Sequence, residues 1–388
     1  MLGPDGMSRV PDKVVQLMLQ LQDWGIGRIA RAISRAGVVT SSAEYILTAL
    51  SEQSLLDRDF RMEIQKALNI SGQELDRLFS EAAQASYIHD KRAFTEAGIP
   101  FTPYEDTYFM QQLTRGITDN TKGLMQNITN SMGFAVRTPT GLAFKPIAKF
   151  YQDELDTATF KIASGTQTFE GAIKEAVVKM ADSGLRTVDY ATGHMDRIDV
   201  AARRAVMSSM RDLTNRQSDY NAEVMGTTVF EMSWHGGHRP SHAWGGRRFD
   251  TTGERYPTEQ ELYERHTSPE GIIGTMYDYN CYHEKYAVFY DSPPAISDEE
   301  LNRLEQQEQV EIEYRGKSYN AYDARQRQRY LERTMRRQKS LIAGFDGAGL
   351  ADDLQNARIK LRGQQKEYRT FSSVMGLRTQ PERVASYL

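Results

Sequence analysis

Histidine is concentrated in one short part of this 388-residue chain. Five of its seven histidines and its only cysteine lie between positions 235 and 283, namely His235, His238, His242, His266, Cys281 and His283. Imidazole and thiolate are ligands that zinc prefers, and imidazole is also the commonest general acid or base. This stretch is therefore where the sequence points most clearly to chemistry.

The histidines fall into two segments. The first runs Trp234-His-Gly-Gly-His-Arg-Pro-Ser-His-Ala-Trp-Gly-Gly246, and the second runs Tyr277-Asp-Tyr-Asn-Cys-Tyr-His283. Pro240 suits the first turn of a short helix that Gly245 and Gly246 would end. In an extended strand, Cys281 and His283 would point to the same face.

Three interpretations of this cluster are open. The first is a zinc site formed by members of the set His235, His238, His242, Cys281 and His283, although their spacing matches no standard zinc motif. The second is a metal-dependent nuclease, in which the histidines and Asn280 hold a metal that activates water, although no acidic pair stands at a suitable spacing. The third, which we favour from sequence, is a hydrogen-bonded cluster of the imidazoles and Arg239 that ties loops together.

Composition excludes several classes of protein. Charged residues make up 26% of the chain and leave a net charge of −4, so the chain is not basic overall as a histone is. One cysteine excludes a disulfide framework and a four-cysteine zinc site. The N-terminus shows no signal-peptide pattern, and no run approaches the roughly 18 apolar residues of a membrane span.

Periodicity and proline placement predict the elements that must position the cluster. We expect a helical region over residues 1–215, with four short helices before about residue 95 and helical segments near 105–133, 147–163, 168–184 and 196–222. We expect a compact α+β module over 216–295 that begins with a strand near 227–234. A tail over 296–388 should contain a small hairpin near 310–319 and two polar helices. The predicted fold class is mainly α with a small α+β domain.

The first polar helix of the tail is locally basic. Between positions 321 and 339 there are two acidic residues and seven basic ones: Arg325, Arg327, Arg329, Arg333, Arg336, Arg337 and Lys339. Such a helix could neutralise phosphates of DNA without reading its sequence, or could contact an acidic partner. The alternative is a solvated helix surface with salt bridges.

Four stretches resemble a known family. The pattern at 234–246, including Arg239, Pro240, Ser241 and Gly246, and the later Tyr-Asn280-Cys-x-His resemble the second family of phage minor capsid proteins and, more distantly, Mu F-like head morphogenesis proteins. The basic helix from Gly316 to Arg333 and the stretch at Asp189–Gly193 are similar to that family as well. Two positions depart from it: Tyr282 stands where the family usually has arginine, and Gly245 stands where it has glutamine.

The resemblance implies a structural role and no enzymatic activity. It implies a minor component of a tailed-phage head that acts in head assembly and DNA packaging near the portal, present in the virion and in the host cytoplasm during assembly. The expected partners are the portal protein, the scaffold or major capsid protein, and phage DNA bound without sequence specificity. The rival hypotheses are a metal-dependent nuclease or injected effector that uses the histidine-rich module, and a free DNA-binding protein.

Overall fold

The computed structural model of the chain describes residues 9–37, 42–89, 91–96, 98–279 and 281–384. Eleven α-helices lie in this described part, which confirms the predicted mainly α fold. They are α1 (Asp12–Ala36), α2 (Ser42–His89), α3 (Lys91–Glu96), α4 (Tyr108–Asn130), α5 (Ile147–Ala163), α6 (Phe169–Ser183), α7 (Ile198–Met225), α8 (Glu259–Arg265), α9 (Asp298–Glu308), α10 (Ala321–Ala348) and α11 (Ala351–Val374). Among the described residues, no helix has the length and apolar character that a membrane span requires.

Three small antiparallel sheets complete the described fold. The first has the order β2-β1-β3-β4 and contains β1 (Met132–Thr138), β2 (Gly141–Pro146), β3 (Arg186–Val188) and β4 (Met195–Arg197). The second has the order β6-β5-β7, with β5 (Val229–Met232), β6 (Arg248–Asp250) and β7 (Lys285–Val288). The third is the predicted tail hairpin of β8 (Ile312–Tyr314) and β9 (Lys317–Tyr319).

Helix α1 lies at the centre of the main core. Its apolar residues are buried on several faces, and the core they join includes side chains from α2, α4, α5, α6, α7 and α10. Gly25 and Gly27 lie inside this helix. A Cβ on Gly27 would come within 2.9 Å of the carbonyl oxygen of Ala343, so the glycine permits α1 and α10 to cross closely.

The prediction of separate short helices between residues 42 and 89 was wrong. The structure has one continuous helix, α2, over these residues. The sequence pattern Ser71-x-x-Glu74 resembles a capping box, but the Ser71 hydroxyl donates to the carbonyl oxygen of Ala67 one turn earlier. A serine bonded in this way is compatible with a helix interior, so the pattern does not start a new helix here.

The core crosses the boundary predicted at residue 296. Leu341, Ile342 and Phe345 of α10 belong to the same buried cluster as α1. The hydroxyl of Ser340 accepts from Gln22 (3.0 Å) and donates to Asp23 (2.6 Å), both in α1. The C-terminal helices therefore complete the packing of the N-terminal region.

The histidine-rich module is built on the sheet β6-β5-β7 and has its own apolar core. That core contains Trp244, Phe249 and Met276, with Ala222 and Met225 from the end of α7. The boundary predicted at residue 215 consequently falls inside α7, whose last turns belong to the module's core. The module is thus joined to the helical region by a continuous helix.

Candidate metal centre

Sheet pairing brings the two histidine-bearing segments together. Strand β5 pairs antiparallel with β7, and Met232 stands opposite Lys285. The pairing extends one step further, because Ser233 N donates to Glu284 O (2.8 Å) and Glu284 N donates to the Ser233 hydroxyl (2.9 Å). The residues that follow β5 and those that precede β7 are therefore neighbours, although they are far apart in sequence.

Three of the five predicted ligands form a compact buried set. One potential ligand atom from each of His242, Cys281 and His283 lies within 4.8 Å of the other two. The Cys281 Sγ is 3.3 Å from His283 Nδ1 and 3.7 Å from His242 Nδ1. All three residues are at most 4% exposed. Residues 281–284 are not a strand, so Cys281 and His283 approach each other through loop geometry and not through the predicted strand face.

These separations fit tetrahedral coordination. Zinc bonds of about 2.3 Å to sulfur and about 2.05 Å to nitrogen, at a tetrahedral angle, place the two ligand atoms about 3.6 Å apart. The two observed sulfur–nitrogen distances lie on either side of that value. The two sulfur–nitrogen pairs are therefore spaced as a shared ion requires, and the two imidazole ligand atoms lie within 4.8 Å of each other.

Asp278 orients His242. The Nε2 of His242 donates to Asp278 Oδ2 at 3.1 Å, which leaves Nδ1 facing Cys281. A carboxylate on the second nitrogen of a metal-bound imidazole fixes its tautomer and raises its basicity. Asp278 was not among the predicted site residues, because it has no acidic partner at a suitable spacing; the single carboxylate three residues before Cys281 was the available signal.

Burial sets the protonation states in this centre. It lowers the pKa of His242 to about 4, with Asp278 opposing the shift in part, and it holds the pKa of His283 well below the usual range. Both imidazoles are therefore neutral near pH 7, the form in which they bind metals. Burial also raises the pKa of the Cys281 thiol to about 11, so that without a cation the thiol stays protonated.

His235 and His238 lie beside the three-residue set. Together with His242 and Cys281 they line a cavity of about 30 Å³. The Nδ1 of His235 donates to Gly236 O (3.1 Å) and that of His238 donates to Arg239 O (2.9 Å), so each ring keeps its Nε2 for another partner. Burial lowers the pKa of His235 to about 3. His266, by contrast, bonds to Leu262 O and takes no part.

Hydrogen bonding alone accounts for the cluster incompletely. It explains His242, which Asp278 holds. It leaves the Nε2 of the fully buried His283 without a hydrogen-bond partner among the described residues. An ion bound through the Nδ1 of His283 would leave that Nε2 without a partner too, so this costly buried atom does not decide between the hydrogen-bonded cluster and a shared ion.

The other motif residues position the two segments. Arg239 donates to Tyr279 O and lies 3.5 Å from Asp278, so it joins the segments directly. Pro240 begins a short 3₁₀ helix, Pro240–His242, as the sequence predicted, and Ser241 lies in it, packed against Gly274. Gly246 has a φ of +79°, which explains its residue type. Asn280 lies outside the described residues.

The basic helix α10 turns most of its cations towards the protein. Arg336 pairs with the buried Asp199 at 3.4 Å, Arg337 pairs with Asp182, and Lys339 donates to Val384 O.

The remaining four cations of α10 divide between interior and surface. Arg325 packs against Gly237, and Arg329 lies near Tyr282. Arg327 is half-buried and Arg333 is exposed. The seven cations therefore do not form one exposed basic surface.

Comparison with known protein families gives one finding. The family described as Phage minor capsid protein 2 matches residues 2–372, which is nearly the whole chain. Neither the curated proteins nor the solved structures give a significant match.

Proposed function

The chain belongs to the phage minor capsid protein 2 family, and from that premise we propose that it acts in head assembly near the portal of a tailed bacteriophage. The family is one of structural capsid proteins, and its place is the virion. We further propose the portal protein, the scaffold or the major capsid protein as its partners, met in the host cytoplasm while heads assemble.

Within that role, we propose that a zinc ion bound by His242, Cys281 and His283 holds the two segments of the histidine-rich module together. The observation that carries this proposal is the pair of sulfur–nitrogen separations, 3.3 and 3.7 Å, on residues from both segments. His235 and His238 are available for the fourth position because they line the adjacent cavity. A metal held in this way would fix the loops that β5 and β7 leave unpaired.

Burial supports a structural centre over a catalytic one. A catalytic zinc keeps an open position for water and substrate, whereas a structural zinc is closed by protein ligands. Here the three ligands are at most 4% exposed, and the adjoining cavity of about 30 Å³ has room for about one ion or water molecule. The nuclease alternative would need a path for DNA to this centre.

Contact with packaged DNA, if made through α10, would rest on few cations. Arg333 is exposed and Arg327 is half-buried, while the other five basic residues of the helix contact protein groups or line interior cavities. Each neutralised phosphate adds to the salt dependence of binding, so we propose at most a weak, sequence-independent contact with a shallow salt slope.

The direct test of the head role uses the phage or prophage that encodes this chain. Purified particles would be analysed by quantitative mass spectrometry, and a deletion of the gene would be compared with the parent. We expect the full-length chain at a low, fixed ratio to the major capsid protein, and defective heads after deletion. Particles that lack the chain, or normal infectious particles after deletion, would contradict the proposal.

A further inference from the structure

A second cavity, of about 240 Å³, lies between the C-terminal segment, α10 and Tyr282. Five arginines line it: Arg9, Arg325, Arg329, Arg378 and Arg383. No aspartate or glutamate is among its lining residues in the described part of the chain. Gln328, Gln380 and the Tyr282 ring complete the wall, so the cavity is rich in hydrogen-bond donors and cationic.

Several of these guanidinium groups lack close counterions. Within the described residues, Arg329 has no hydrogen bond and no carboxylate within 4 Å, although it is largely buried. Burial lowers its pKa most, and the cations Arg383 and Arg203 add to this, whereas Tyr282 and Glu332 oppose the shift. The Nε atoms of Arg325 and Arg383 are buried without hydrogen-bond partners, and the nearest carboxylate contact of Arg383 is a long one, 3.8 Å to Asp12.

An arginine stays charged in a protein, so this arrangement carries buried positive charge that the chain neutralises only in part, since the carboxylates nearest to Arg383 and Arg378 lie 3.8 and 3.9 Å away. Burying a charge without a partner costs free energy that a bound anion would offset. Planar guanidinium groups present paired N–H donors that match the oxygens of phosphate, and several arginines converging from different elements suit a tetrahedral oxyanion.

We propose that this cavity binds a phosphate group. The volume admits a phosphate with a small attached moiety but not a DNA duplex, so the ligand is free phosphate, a small phosphorylated molecule or the terminal phosphate of a DNA end. The site draws on α10, on the segment after α11 and on Tyr282 of the histidine-rich module, so a bound phosphate holds these three parts together. It uses none of the proposed zinc ligands.

The test compares the melting temperature of the full chain in inorganic phosphate and in sodium chloride of equal ionic strength. Arg329→Met removes the charge while keeping similar length and apolar contact, and Arg333→Met is the matched control on the exposed side of the same helix. We expect phosphate to raise the melting temperature of the wild type and of R333M more than chloride does, and to lose this effect in R329M. Titration calorimetry should give one phosphate per chain.

Two results would overturn the proposal: equal effects of phosphate and chloride on the wild type, or an undiminished phosphate effect in R329M. Circular dichroism checks that R329M is folded, and Arg329→Lys, which keeps the charge but loses the paired donors, should retain only part of the phosphate effect. Competition by a 5′-phosphorylated duplex, but not by its unphosphorylated form, would support the site and assign it to DNA ends. Phosphate binding without such competition would support it as a site for free phosphate.

Discussion

At the scale of single residues, the candidate centre depends on one carboxylate outside the ligand set. Asp278 fixes the tautomer of His242, and Arg239 and Thr275 hold Asp278 in turn. This arrangement makes the metal affinity sensitive to a residue that does not touch the metal. A change at Asp278 therefore distinguishes a zinc centre from a hydrogen-bonded cluster, because only a zinc centre has a metal affinity that the change can lower.

Asp278→Asn tests this dependence. We expect the variant to fold and to bind zinc about 10–100-fold more weakly than the wild type, because the amide is a poorer partner for the imidazole N–H. Competition with a zinc chelator measures the change. Asp212→Asn, which removes an exposed carboxylate paired only with Arg216, should leave the affinity unaltered, and an equal loss in both variants would contradict the assigned role.

Asp199 of α7 tests whether the buried cations of α10 are stabilised by ion pairs. It is buried between Arg336 (3.4 Å) and Arg197 (3.3 Å). Burial alone would raise its pKa, but the two arginines lower it below its usual value. The ion pair therefore contributes stability that is fully present above the unfolded pKa of about 3.9 and is lost as pH falls below it.

We expect Asp199→Ala to lower the free energy of unfolding at pH 7 by about 3–5 kcal/mol, because it leaves two buried cations without their carboxylate. Urea denaturation measures this value. The difference between wild type and variant should shrink as pH falls below about 4. A difference that is small at pH 7, or that grows in acid, would contradict the ion-pair account.

At the scale of elements, the close crossing of α1 and α10 is the contact that the sequence least reveals. A Cβ on Gly347 would lie 2.1 Å from the carbonyl oxygen of Gly27, a backbone atom that cannot turn aside. Gly363 in α11 has nothing within 4 Å of its Cβ position. Both glycines lie inside helices, but only Gly347 faces a neighbouring backbone, so the two positions form a matched pair for substitution.

We expect Gly347→Ala to destabilise the chain by about 1–3 kcal/mol through overpacking. Gly363→Ala should stabilise it by up to about 1 kcal/mol, because alanine favours the helix. Thermal or urea unfolding of both variants measures the two effects. Equal stabilisation by both substitutions would contradict the close approach of α1 and α10 at Gly347.

The sequence predicted the helical segments after residue 105, the tail hairpin and the short helix at Pro240, because each carries a local signal in periodicity, turn residues or proline. It did not predict the hairpin of β1 and β2, where only the turn-rich stretch Arg137–Gly141 was recognisable. It could not show which arginines of α10 face the interior, because the sequence does not distinguish an arginine that pairs with a buried carboxylate from one that is exposed to solvent. The sequence offered five candidate zinc ligands, and the structure brings three of them together in one buried set.

At the scale of the whole molecule, three buried clusters of the described residues serve different parts of the chain. The largest cluster joins the N-terminal helices to α10, and the second lies in the histidine-rich module and also takes in Phe94 of α3. The third joins β9, α10 and α11. The centre formed by His242, Cys281 and His283 belongs to the module alone. Loss of the metal should therefore loosen the module and leave the helical core intact.

Hydrogen–deuterium exchange of the full chain with and without a chelator tests this division. We expect chelation to raise exchange in residues 229–288 and to leave α1 and the second half of α10 unchanged, because local opening is confined to the part that loses its constraint. Uniform loss of protection throughout the chain would mean that the module and the helical core unfold together.

The most direct measurement is the metal content of the full chain, determined by inductively coupled plasma mass spectrometry after purification without a metal-affinity tag or chelator. The variants are His242→Ala and Cys281→Ala, with His266→Ala as the matched control because the imidazole of this histidine bonds to Leu262 O, away from the candidate ligands. We predict one zinc per chain in the wild type and in H266A, and a large loss in the other two. A wild-type chain that contains no metal and binds none when zinc is added would contradict the zinc centre.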